Sequence, residues 1–120
     1  MSLTLWILNS LLAAAFLGAG ALKLLRSPAD LKEAGMGWVD DVSPGLVRFV
    51  GAAEVLGAVG LILPRALDVA PVLTPLAAVG LLLTMLGAIL VHVRRQEPAA
   101  PPAVIAVLTL ASAVIGFARL

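Results

Sequence analysis

A single carboxylate, Glu54, stands in the apolar stretch RFVGAAEVLGAVG (residues 48–60), and the rest of the chain has to accommodate it. A charge in such surroundings needs a cation, a hydrogen-bond donor or a wet cavity. Three residues could serve it: Lys23, Arg48 and His92. If the stretch is a helix, Val47, Gly51, Ala58 and Leu61 share the side of Glu54. Arg48 lies about 120° round and about 9 Å nearer the preceding loop. Glu54 and Arg48 could then meet only through long side chains or water.

Two kinds of chemistry fit these residues. In the first, Glu54 is the floor of a binding cavity with cations at its mouth, suited to an amphiphile whose polar head reaches inward, such as a quinone, a prenyl compound or a sterol-like molecule. In the second, Glu54 is the general acid of an intramembrane enzyme, an isomerase or an epoxide-opening catalyst, with His92 or water removing a proton. A purely structural cluster, Glu54 bonded to Lys23, Arg48 or His92 to hold helices in register, is the alternative to both. The binding site is the preferred reading.

The neighbouring polar residues have two readings each. Lys23 either snorkels to the membrane interface or is a counter-ion at the site. Asn9 is an interhelical hydrogen-bond partner or a ligand contact. Trp38 is an interfacial anchor or a lid over a ligand, and His92 an interfacial residue or a ligand contact. All six, Asn9, Lys23, Trp38, Arg48, Glu54 and His92, are candidate ligand-binding positions. No metal site is expected: Asp40 and Asp41 are adjacent but have no further His or carboxylate nearby, and read as a solvated loop.

Composition fixes the setting. The chain is 62% hydrophobic and 12% charged, with a mean hydropathy of +1.12, whereas soluble domains carry about 25% charged residues. It is expected to be an all-α integral membrane protein, one domain over residues 1–120. The absence of Cys excludes disulfides, thiolate metal sites and dithiol redox chemistry, and a net charge of +1 leaves no nucleic-acid footprint.

Apolar windows at residues 3–25, 45–63, 72–92 and 103–118 predict a bundle of four membrane helices. The first is read as a membrane helix and not a signal peptide, because no Lys or Arg precedes it; Asn9, Phe16, Gly20 and Lys23 form one stripe that should face the bundle. In the first loop, Ser27 as N-cap, Pro28 and Asp30 predict a short helix over about 28–34, stopped by Gly35. Its apolar residues Leu31, Met36 and Trp38 are expected on the membrane surface. Ser43-Pro44 should cap the second membrane helix in the same way, and Pro64 to Pro71 should form the second loop. Small residues on several helices favour close packing and leave room for a homodimer. Lys23, Arg26, Lys32, Arg94 and Arg95 against Arg65 and Arg119 place residues 26–44 and 93–102 in the cytoplasm and both termini outside.

Gly20-x-x-Lys23, the run Arg48-x-x-Gly51-x-x-Glu54-x-x-Gly57 with the LILP that follows, and PLAAVGLLLTMLGAILVHVRR together resemble the DoxX-like family of small bacterial four-helix membrane proteins. The resemblance covers nearly the whole chain. It implies a four-helix bundle in the bacterial inner membrane and, from some relatives, association with membrane redox systems such as a quinone-reducing oxidoreductase. On that basis Lys23, Arg48, Glu54 and His92 would line the bundle, a quinone is the cofactor or ligand to expect, and an oxidoreductase subunit the partner. No His pair is present to ligate haem.

Overall fold

The computed structural model describes residues 2–120. Its long helices are α1 (Leu3–Leu25), α3 (Pro44–Ala66), α4 (Leu73–Arg94) and α5 (Ala100–Ala118), with a short α2 (Pro28–Glu33) in the first loop. Each of the four is long and apolar enough to cross a membrane. The molecule measures 41 × 26 × 18 Å, and its long dimension matches a bilayer of about 40–45 Å including head groups.

The helix starts follow the expected chemistry. Ser27 Oγ accepts from Asp30 N–H and Ser43 Oγ from Leu46 N–H, both at 3.2 Å, with Pro28 and Pro44 in the first turns. Gly35 ends the loop helix at φ +102°, a conformation in which a Cβ would be strained. Pro101 and Pro102 sit in the first turn of α5, where a missing N–H leaves no bond unmade.

The second helix departs from expectation. It runs through Pro64 to Ala66, so the second loop is only Leu67 to Val72. Pro64 has no N–H for the Gly60 carbonyl, but the turn is closed by Leu67 N–H on Leu63 O at 2.9 Å and Val69 N–H on Pro64 O at 3.0 Å. The extension carries Arg65 into the helix. α4 likewise begins at Leu73 and runs to Arg94, and α5 begins three residues early, at Ala100.

Around the bundle, α3 packs between α1 and α4, α5 packs on α4, and a smaller contact with α1 closes the ring. The predicted stripes face inward: Asn9, Phe16, Gly20 and Lys23 of α1 are buried, as are Val47, Gly51, Glu54, Ala58 and Leu61 of α3. A core of Leu12, Phe16, Ala58, Leu61, Leu81 and Met85 fills the middle, while Leu11, Phe49, Leu56 and Val107 face outward. With lipid outside, such exposure carries no penalty.

The first loop folds into a cap with its own small core. Residues Gly37–Asp41 form a 3₁₀ turn that brings Val39 onto Leu31 and Val47, with Met36, Trp38 and Val42 packed beside them. Its apolar side therefore covers the start of α3. Asp40 and Asp41 are exposed, as expected of a solvated loop, and each also forms a salt bridge: Asp40 pairs with Lys32 at 2.7 Å, and Asp41 with Arg95, which also reaches Glu97 at 3.1 Å. Hydrogen bonding to Asp41, and after it to Glu97, raises the pKa of Arg95 further against the opposing effect of desolvation. The Arg95 guanidinium stays charged at any ordinary pH. Arg95→Ala is expected to speed amide hydrogen exchange over residues 37–41 several-fold while leaving the core helices protected, because the Leu31–Val39–Val47 cluster remains. Unchanged exchange in the 3₁₀ turn would show that the clasp does not hold the cap.

Candidate ligand cavity at a buried ion pair

Lys23 and Glu54 meet inside the bundle. Lys23 Nζ donates to Glu54 Oε1 at 2.6 Å, and the two residues are only 8% and 2% exposed. Side chains on a helix lean toward its N-terminus, so Lys23, in the last turn of α1, points back into the membrane. Glu54 leans toward the start of α3, which lies on the same side. The two converge because the helices run in opposite directions. The same lean carries Arg48 outward toward the loop, where it is exposed.

Glycine makes the meeting possible. A Cβ at Gly20 would lie 2.6 Å from Gly51 O, and one at Gly51 would lie 2.8 Å from Lys23 Cβ. Both distances are below any real contact, so α1 and α3 touch backbone to backbone one turn from the ion pair.

Beside the pair lies a cavity of about 510 Å³. Its walls are apolar, with Phe16, Val50, Met85 and Ile105 from the four long helices, and the cap closes it with Met36 and Trp38. The polar groups on its lining include Lys23, Glu54, Thr84, His92 and Glu97. His92 Nδ1 lies 3.0 Å from Pro98 O; a carbonyl can only accept, so Nδ1 carries the hydrogen and Nε2 is left as an acceptor in the neutral ring. Of the three donors on the Lys23 ammonium one is engaged, and no protein donor other than Lys23 bonds the Glu54 carboxylate among the described residues. The arrangement can therefore both donate to and accept from a polar head placed in an apolar chamber.

The structure thus brings Lys23, Glu54, His92 and Trp38 to one cavity and leaves two candidates elsewhere. Arg48 is exposed and absent from the lining. Asn9 is fully buried in the other half of the bundle, donating to Leu61 O at 3.1 Å and accepting from Ser112 Oγ at 2.5 Å. It is an interhelical tie. Arg65 is a second such tie, its Nη2 donating to Gly116 O at 2.9 Å. In the sequence it reads as a loop residue, because it follows a proline that marks a helix end. Thr84 and Glu97, also on the lining, carry no sequence signal, since a threonine in a helix and a glutamate before prolines are ordinary in both places.

No curated protein and no solved structure matches the chain significantly. The profile of the DoxX-like family does match, over residues 7–114, a span that takes in most of all four membrane helices, the capping loop and both members of the ion pair. This small multi-pass membrane protein therefore belongs to the DoxX-like family.

Proposed function

We propose that the protein binds a lipophilic molecule with a polar head, its head group on the Lys23–Glu54 pair and its body in the apolar chamber under Trp38. One observation carries the reading: a buried ion pair with unused bonding capacity borders a cavity of about 510 Å³. A pair that served only to hold helices together would have its remaining donors and acceptors satisfied by protein or packed over. Quinones and prenyl or sterol-like lipids have the required combination of polar head and apolar body. The family resemblance favours a quinone and a role as accessory subunit of a membrane redox system. The charge count favours a cytoplasmic cap, with Trp38 as the lid.

An acid–base enzyme is less well supported. Glu54 and His92 both line the cavity, but Glu54 accepts a bond from an ammonium and His92 Nδ1 is occupied by Pro98. The free Nε2 of His92 can still accept a proton, so the weak point is Glu54, which, held as a carboxylate by Lys23, lacks the proton a general acid must give.

Mass spectrometry of co-purifying lipids tests the binding reading. The wild type is expected to retain a quinone, prenyl or sterol-like species that the neutral pair variant Lys23→Met/Glu54→Gln loses. Identical lipid profiles from the two folded proteins would make the ion pair purely structural.

A further inference from the structure

On the lipid face between α3 and α4 a groove of about 390 Å³ runs away from the cap, with Leu56 and Gly60 on one side and Leu73, Leu76 and Gly80 on the other. Ala53 and Thr84 line both this groove and the cavity, so the two are neighbouring parts of one recess. Helix packing explains its shape. Gly57 and Gly60 let α3 press against Leu81 and Ala77 of α4, where added Cβ atoms would come within 2.6 and 2.7 Å. Beside that contact a Cβ at Gly80 or Gly87 would meet nothing within 4 Å. Toward the cap, Phe49 and Leu83 line the cavity yet are 70% and 63% exposed, which sets the cavity's opening on the membrane side between these two helices.

The polar end limits the head group. Lys23 and Glu54 already neutralise each other, so a charged head would bury a net charge. A neutral head that accepts from Lys23, donates to Glu54, or does both adds hydrogen bonds to the pair without that penalty. The groove limits the tail. From Thr84 to Leu73 it follows α4 for about 16 Å at the helical rise, and its volume of about 390 Å³ spread over that length leaves room for one chain.

Resting on the binding reading above, we infer that the ligand is a single-chain amphiphile with an uncharged hydroxyl- or carbonyl-type head, which enters from the bilayer between α3 and α4 and leaves its chain in the groove past Gly80. The chain exchanges lipid contacts for groove contacts, so it gains by packing and not by leaving water. Its position is therefore more telling than its affinity.

The test is photolabelling of the purified protein in lipid nanodiscs with hexadecanol carrying a mid-chain diazirine, followed by peptide mapping. Label is expected at Leu56 and Leu76 in excess of Leu11 and Val107, which on α1 and α5 are about as open to lipid as Leu56 and more open than Leu76. Gly80→Phe, placed where nothing opposes a side chain, is expected to lower the groove label about tenfold. Lys23→Met/Glu54→Gln should lower the total bound. An even spread of label in the wild type, with binding still sensitive to the ion-pair variant, overturns the groove and leaves the cavity reading standing. Binding indifferent to the ion-pair variant overturns both.

Discussion

Lys23→Met is expected to destabilise the protein by about 3–5 kcal/mol, the usual consequence of removing one partner from a buried pair. The Glu54 carboxylate is 2% exposed and has no donor other than Lys23 among the described residues. Glu54→Gln should be milder, at about 1–2 kcal/mol. The amide oxygen still accepts from Lys23, and the ammonium, two residues from the end of α1, can swing toward the interface and the terminal carbonyls. The double variant Lys23→Met/Glu54→Gln should lie closer to the wild type than Lys23→Met alone, since no uncompensated charge remains. Denaturant unfolding in micelles, read as a double-mutant cycle, measures the coupling. A Lys23→Met protein as stable as the wild type would mean that the carboxylate is not confined as the 2.6 Å contact requires.

Why Lys23 and not Arg48 completes this pair shows where the sequence was legible. The buried faces of α1 and α3 follow from helical period alone, because a single bundle interior accepts one stripe from each helix. Depth is also readable, and it puts Lys23, Arg48 and His92 toward the same membrane side. Choosing among them needs the direction in which each side chain leaves its helix and the azimuth of one helix against another. Only the first is a local property. Asn9 shows the same limit: its stripe was right, but its partners, Leu61 O and Ser112, lie on helices whose rotation the sequence does not state. The Arg95–Asp41 clasp joins residues 54 positions apart, and it exists because the first loop folds over the end of α4. Pro64 misled in the other direction. A proline ends a helix in water more readily than in lipid, where backbone groups have no solvent alternative and helical turns persist around it. The sequence points to a cavity over Glu54 but not to its volume or walls, since these are the space left by helices that touch at Gly57 and Gly60 and open toward the cap.

Gly20→Val is expected to be as damaging as loss of the ion pair, about 3 kcal/mol or more, at the upper end of overpacking effects. Its Cβ would stand 2.6 Å from Gly51 O and 3.0 Å from Val55 N. Both are backbone atoms, so no rotamer change can relieve the overlap and α1 must move off α3. That movement also stretches the 2.6 Å Lys23–Glu54 bond one turn away. Two comparisons separate these causes. Gly18→Val, on the same helix with nothing within 4 Å of its Cβ, changes backbone propensity equally and should stay within about 0.5–1 kcal/mol of wild type. In the Lys23→Met/Glu54→Gln background, Gly20→Val should cost less than in the wild type, because the ion pair it would break is already gone. Equal costs in both backgrounds would show that the glycine contact holds the helices together without positioning the pair. A Gly20→Val no worse than Gly18→Val would mean that α1 and α3 do not meet backbone to backbone, and the geometry that brings Lys23 to Glu54 would fall with that contact.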